Sequence, residues 1–395
     1  MKSIKILYIA YKNIPLYKNG QFELNLMATD KVADASQVFP IRNSIYSQKL
    51  TAIIGINASG KTSSLKLLYL ALAIVLDNTS LNTTTLYGTE FLQDGTELCI
   101  VFAYHNSCYE LHSIIGKKVD VRNKSTKLFF KEEYLRSKKL SSIKTKKDAL
   151  IFKNGMGTTL VQRTKMPAAA LAVLQDDDSI VITVTKNNTT ALRQFMSFTN
   201  MNMLLAPGTT PSEVLHAFDA NLEELTTENT SDGLTYTVRF KNQEKPLTLH
   251  SPIGLNNLIS SGTIKGQNMI ALIKDILANG GYLIVDELEN HMNKELLRMI
   301  TDIFKNDRIN KHGACLLFST HYTEILDFMD RKDNIYVVRR ELTPDNNIEV
   351  LNYANEVKRN DVKKSEIILS NYIKGTAPLY ENIQALEDYL CNEQN

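Results

Sequence analysis

Apolar residues are unevenly spread along the chain, falling in short runs whose spacing changes from one region to the next. Ile4 to Tyr11 and Phe22 to Met27 alternate in polarity and read as strands of a small sheet or hairpin, with Pro15 and Asn19-Gly20 between them. Leu50 to Ile54 is apolar and β-branched and stops at Gly55. After a Gly-containing loop, Ser63 to Leu76 is apolar nearly all round, which suits a helix covered on every side. The pattern predicts a buried strand, a loop and a buried helix.

From about residue 80 to 250 the runs shorten. Cys99 to Tyr104, Ile180 to Val184 and Leu234 to Phe240 read as strands among polar and helical stretches, and no heptad pattern is sustained enough for a long coiled coil. We expect an inserted α+β lobe at 81–250. From Leu255 the texture becomes helix (Gly266 to Ala278), strand (Tyr282 to Val285), helix (Lys294 to Phe304) and strand (Ala314 to Phe318), the alternation of a parallel sheet covered by helices. After Arg340 the chain is polar, with helices expected over Asp361 to Ile373 and Leu379 to Leu390. The predicted organisation is an N-terminal half-domain at 1–80, the insertion, a C-terminal half-domain at 251–345 and a helical segment at 346–395.

Composition narrows the class. With 43% hydrophobic and 22% charged residues, the 395-residue chain has ample material for a core, which excludes disordered and collagen-like classes. The four cysteines are scattered without zinc spacing, the N-terminus lacks a signal-peptide h-region, and the longest apolar run, Leu67 to Leu76, is well short of the ~20 residues of a membrane span. The expectation is a cytoplasmic protein with reduced thiols and no membrane segment. Charge adds one feature. The net +2 conceals a segment from Lys117 to Lys147 with 12 Lys/Arg and 3 acids, so the remainder of the chain is acidic. That segment is either a solvated hairpin or a DNA-contacting surface.

The loop after the first buried strand, Gly55-Ile56-Asn57-Ala58-Ser59-Gly60-Lys61-Thr62, fits G-x-x-x-x-G-K-[ST] in full and lies between strand and helix. Its glycines allow the backbone to wrap a phosphate, and its amides and the positive helix N-terminus, including Ser63, offset the negative charge. Lys61 is expected to neutralise the β- and γ-phosphates and Thr62 to ligate Mg²⁺. A second half-site is Tyr282 to Glu287, a buried strand ending in two carboxylates, where ligands of open α/β sheets bind. Asp286 is the expected Mg²⁺ partner, and Glu287 is placed to polarise the attacking water. The next strand ends in Ser319-Thr320-His321, and His321 is placed to sense the γ-phosphate.

In this order, GINASGKT, LISSGTIKG (Leu258 to Gly266), YLIVDELENH (Tyr282 to His291) and FSTH (Phe318 to His321) resemble the ABC-type ATPase superfamily, specifically its RecF, SMC and OLD branch and related AAA-type ATPases of phage-defence systems. The resemblance implies an α/β P-loop NTPase fold with an ABC-type head, ATP and Mg²⁺ as cofactors, and Glu287 as catalytic base. It implies that Ser260, Ser261 and Gly262 form a signature loop closing on the nucleotide of a second copy, in a homodimer or higher oligomer. Leu288 to His291 corresponds to the loop that meets the partner head. Members also carry a Mg²⁺-sensing glutamine; Gln93 and Gln162 are both candidates here. The short SSGT signature departs from the transporter pattern, and with only about 55 residues after Arg340 no Toprim domain is apparent. A nuclease or Toprim effector would then be a separate chain.

Three functions are expected candidates. The first is an ATP-driven switch that controls a DNA or effector partner in antiviral defence. The second is a RecF-like DNA-repair clamp, gripping DNA through Lys117 to Lys147. The third, a non-hydrolysing nucleotide-binding scaffold, fits poorly with the presence of both Lys61 and Glu287.

Overall fold

The apolar run Leu50–Ile54 becomes an inner strand of a six-stranded sheet, as expected of residues that offer no polar face to water. In spatial order the strands are Leu192–Phe195, Tyr282–Val285, Cys315–Thr320, Leu50–Ile54, Ile335–Arg340 and Ile348–Asn352; the first five are parallel and the last is antiparallel. The architecture is mixed α/β. This computed structural model describes residues 2–120, 125–152, 157–196, 204, 207–231, 233–341, 343, 345–359, 361–377 and 380–393.

A second, fully antiparallel sheet runs Gln21–Asn25, Lys5–Lys12, Thr96–Tyr104, Ser107–Asp120, Ser125–Lys139 and Thr158–Gln162. The helix Lys61–Leu72, prolonged by a π turn over Ala73–Asp77, lies between the sheets, sharing one core with Ile6, Ile9 and Phe102 on one side and Ile53, Ile284 and Leu317 on the other. Its all-round apolarity is thus accounted for. The opposite face of the parallel sheet is covered by the helices Ser261–Asn279 and Lys294–Lys305. Among the described residues no helix is long and apolar enough to cross a membrane.

Polar side chains tie the layers together. Lys5 Nζ donates to the carbonyl oxygens of Gly280, His312 and Gly313 at 2.9, 2.7 and 2.7 Å, at the N-terminal ends of two parallel strands. Burial pushes this ammonium down to about 7. The hydroxyl of Tyr282 accepts from Ile6 N at 2.7 Å, and that of Tyr336 bonds both N and O of Asn25 at 2.8 and 2.9 Å. Buried hydrogen bonds therefore pin the strands Lys5–Lys12 and Gln21–Asn25 to the parallel sheet.

The expected insertion at 81–250 is divided. Its first four strands belong to the antiparallel sheet, and Leu192–Phe195 joins the parallel one. Gly208–Thr209, Leu222–Thr230, Gly233–Phe240 and Leu247–Leu249 make a separate sheet, with the helix Ser212–Phe218 and a core of Leu215, Leu222, Leu225, Tyr236 and Val238. The run Ile180 to Val184 is not a strand; a short helix spans Ile182–Thr185. Glu133 takes the Ile180 amide and Ser179 Oγ the Val181 amide, which starts a turn where apolarity alone suggested extension. Past Arg340, the described helices are Tyr353–Glu356, Lys364–Leu369 and Tyr380–Glu393. Leu379, the expected start of the last one, lies outside the described residues.

Glu133 anchors the long hairpin Ser107–Asp120/Ser125–Lys139. Its buried carboxylate accepts from Arg163 Nε and Nη2 at 2.9 and 2.8 Å, Ser113 Oγ at 3.0 Å, Ser179 Oγ at 2.7 Å and Ile180 N at 3.1 Å. Burial raises the carboxyl above its usual range against the pull of these donors. Removing one member of such a pair strands the other charge without water. Glu133→Ala is expected to lower unfolding stability by about 3–5 kcal/mol, whereas Glu133→Leu combined with Arg163→Met recovers most of the loss. Urea unfolding measures both, and equal destabilisation by the single and double variants would refute the pair's role.

Candidate functional site

The loop Gly55–Gly60 leaves the strand Leu50–Ile54 at the C-terminal edge of the parallel sheet and enters the helix Lys61–Leu72. Its path needs glycine: a Cβ on Gly55 would sit 2.1 Å from the Val338 carbonyl oxygen and 2.5 Å from Ser59 Oγ. Gly60 (φ 109°) and Ala58 (φ 60°) are left-handed, and alanine there costs roughly 1–2 kcal/mol. Ser59 is buried with its hydroxyl unpartnered among the described residues, while Ser63 is half-buried on the first helical turn. Lys61 folds across the loop, donating to the carbonyl oxygens of Gly55 at 2.9 Å and Ile56 at 3.0 Å. Burial holds its ammonium below the usual lysine range, opposed by the carboxylates of Glu287, Asp286 and Glu289. A cavity of about 620 Å³, in the size range of small-molecule sites, opens beside Gly55 and Asn57 and is bounded by His321, Arg340 and Thr376.

Asp286 joins three elements. Its Oδ2 accepts from Thr62 Oγ1 at 2.7 Å, and its Oδ1 from Ser319 Oγ. Ser319 Oγ also accepts the Glu287 amide at 2.8 Å. Glu287 is itself left-handed (φ 49°), a conformation held at both ends: its N–H goes to Ser319, and its carbonyl accepts from Lys265 Nζ at 3.0 Å. The Glu287 carboxylate accepts from Asn290 Nδ2 at 2.7 Å. His321 bonds to Glu289, whose Oε1 lies 2.8 Å from the His321 amide nitrogen and 2.9 Å from Nδ1. The structure thus brings the cradle, Asp286, Glu287 and His321 to one sheet edge. The sequence reading did not single out Glu289, Asn290 or Lys265 for roles here; the DELEN stretch contains two of them, but nothing local marks Lys265.

Ser260, Ser261 and Gly262, the expected signature residues, meet one another and His291. The helix predicted from Gly266 begins at Ser261, with Ser260 Oγ capping the Thr263 amide at 3.1 Å, because a serine outcompetes the later glycine as a helix start. Ser261 Oγ lies 3.1 Å from His291 Nδ1, and a Cβ on Gly262 would meet the His291 carbonyl oxygen at 2.4 Å. Among the described residues no hydrogen bond joins these three to Gly55–Ser63. Of the two glutamine candidates, Gln93 Nε2 donates to Asn13, and Gln162 pairs with Tyr134 in the antiparallel sheet. Neither touches the site. The strand beside Asp286 is Leu192–Phe195, Asp286 N donating to Phe195 O at 3.2 Å, and 197–203 lie outside the described residues.

The basic segment comprises the long hairpin and the short stretch just past it, and most of its charges are already engaged. Lys118 pairs with Asp176 at 3.1 Å, Lys131 with Asp94 at 3.3 Å and Arg136 with Glu110 at 3.3 Å. Lys117 donates to Leu92 O, Lys138 to Asp148 O and Ile151 O, and Lys146 to Thr29 O and Asp30 O. Lys127 also has a partner, and Arg122 and Lys124 lie outside the described residues. Lys139, Lys144 and Lys147 are exposed and make no such contact among the described residues. No family model matches the chain, and no curated protein does.

Lys265 is buried on the signature helix, and burial pushes it from 10.5 down to about 8 although Glu289, Glu287 and Asp286 oppose the shift. Between pH 8 and 10.5 the folded chain therefore binds fewer protons at this group than the unfolded chain, and stability rises with pH. Relative to Lys265→Met, the unmodified protein is expected to gain about 3 kcal/mol across that window. Urea midpoints of both proteins measure this, and a constant difference between them would count against a neutralisable Lys265.

Proposed function

We propose that the chain is a Mg²⁺-dependent ATPase acting as a molecular switch, with two P-loop heads closing head to tail around ATP. In this reading the closed and open states are passed to an effector protein of nuclease or Toprim type in antiviral defence. The observation that carries the ATPase reading is the Thr62–Asp286 hydrogen bond, which joins the end of the glycine loop to a strand-end carboxylate 224 residues later. The strand order supports it: the His321 strand lies between the cradle strand and the carboxylate strand, so a phosphate bound on the loop would have all three ends beside it.

A hydroxyl and a carboxylate are hard oxygen donors, and Thr62 with Asp286 fits the one or two protein ligands Mg²⁺ takes beside phosphate oxygens. Held by Thr62 and Asp286, Mg²⁺ would supply charge neutralisation at the β- and γ-phosphates. Lys61 exchanges the loop carbonyls for phosphate oxygens, and the loop amides and helix N-terminus hold the remainder. Glu287, steadied by Asn290, orients the attacking water and takes its proton. His321 contacts the γ-phosphate, while Ser260, Ser261 and Gly262 reach the nucleotide of the second copy. Glu287→Gln is expected to keep ATP binding within about threefold, reduce turnover 10²–10⁴-fold and accumulate ATP-bound dimers. Fluorescent-nucleotide binding, phosphate release and size-exclusion chromatography check the three parts; normal turnover removes Glu287 as the base, and absence of ATP binding by the unmodified protein removes the ATPase reading.

The hairpin's engaged charges weigh against a RecF-like clamp as the main task. A duplex held through Lys139, Lys144 and Lys147 should show a log–log salt slope of about −3, far shallower than an extended phosphate-binding face gives. Reversing all three to Glu is expected to abolish that binding while ATP turnover persists. DNA affinity unchanged in the triple variant excludes this surface as the contact.

A further inference from the structure

We propose that Glu289 is a positioning residue that sets His321 toward a phosphate on the cradle. The proposal rests on reading the site as an ATPase centre. A single carboxylate oxygen, Glu289 Oε1, takes both the backbone N–H and Nδ1 of His321, at 2.8 and 2.9 Å. Gripping one residue at its backbone and its ring leaves the imidazole little freedom about χ1. With the proton on Nδ1 directed to Glu289, Nε2 on the far side of the ring is left for a ligand. His321 itself is half exposed and borders the cavity beside Asn57, so that nitrogen has somewhere to act.

The other oxygen argues that this pair is more than a structural pin. Glu289 is only 10% exposed, and its buried Oε2 has no hydrogen-bond partner among the described residues. A half-satisfied buried carboxylate costs stability, on the order of 1–3 kcal/mol or more. What surrounds Glu289 is charge: it is an attractive neighbour of both Lys61 on the cradle and Lys265 on the signature helix. Glu287 and Glu289 project from one tight turn, closed by Asn290 N to Glu287 O at 3.0 Å and Met292 N to Glu289 O at 3.0 Å. One turn therefore aims two acids at different tasks, Glu287 at the water and Glu289 at the histidine, while Lys265 holds the turn through the Glu287 carbonyl.

Steady-state ATPase kinetics and fluorescent ATP-analogue binding on the full chain test this. Glu289→Ala is expected to lower kcat by about 10–100-fold with KM and analogue affinity within about threefold, the pattern of misplacement rather than lost binding. In a His321→Ala background the same change should cost less than about twofold, because the residue it acts through is gone. Glu289→Gln keeps an oxygen acceptor for both His321 donors and should restore at least a third of the turnover. If Glu289→Ala does not fold, Glu289→Asp, which withdraws the oxygen by one methylene, carries the same expectations. Equal losses in both backgrounds, or a KM that rises as far as kcat falls, overturn the proposal. Unchanged turnover in Glu289→Ala overturns it alone; absence of turnover in the unmodified protein overturns it together with the ATPase reading.

Discussion

The Asp286 carboxylate is the point on which the rest of the site depends. Its two oxygens are divided between hydroxyls from two other elements, Thr62 at the start of the cradle helix and Ser319 at the end of the histidine strand. Both can reach it only because three parallel strands end level, with Val285 opposite Phe318 and Thr320 opposite Ile54. A slip of one residue in any pairing turns alternate side chains to the other face. The register is in turn held from below, where Lys5 and Tyr282 fasten the first antiparallel strand to the N-terminal ends of the same strands. Chemistry at one edge of the sheet is thus set by buried polar contacts at the other.

Charge in this cluster is concentrated beyond anything folding requires. Two buried lysines, Lys61 and Lys265, face Asp286, Glu287 and Glu289, and burial lowers both lysines despite the acids. Desolvating such groups is costly, and apolar side chains of similar size would be equal or better for stability. The left-handed backbone at Ala58 and Glu287 adds strain at the same edge of the sheet. Strain and unbalanced charge coincide where a polyanion and a divalent cation would relieve both. On the proposed reading, that is where nucleotide and metal would sit.

How much of this the sequence made legible depends on how local each constraint is. The cradle was readable because its glycines answer to contacts within the loop and its two flanking elements, and the carboxylate strand because four apolar residues run directly into two acids. The wrapped helix was readable for the same reason: its apolarity has no exposed side. The division of the insertion was hidden because Lys5–Lys12 finds its partner in Thr96–Tyr104, across a segment whose own pattern resembles any α+β lobe. Ile348–Asn352 is too short for its own pattern to mark it, and only its antiparallel pairing with Ile335–Arg340 makes it the last strand of the sheet. Glu289 and Lys265 were hidden for a different reason. Their roles are set by partners on other elements, which spacing along the chain does not encode.

The basic segment shows the same limit acting on charge. Counted along the sequence, Lys117 to Lys147 is a block of like charge awaiting a polyanion. In the fold, three of its side chains meet carboxylates and three more donate to backbone carbonyls, one of them, Lys146, reaching back to Thr29 and Asp30. Exposed ion pairs contribute little stability each, but they cancel the far field that would steer a phosphate backbone. Among the described residues, Lys139 at the end of the hairpin and Lys144 and Lys147 just past it are left without such a contact. A run of lysines in sequence is therefore a count of candidates: the chain's own acids neutralise some of them, while its carbonyls fix others in place without removing their charge.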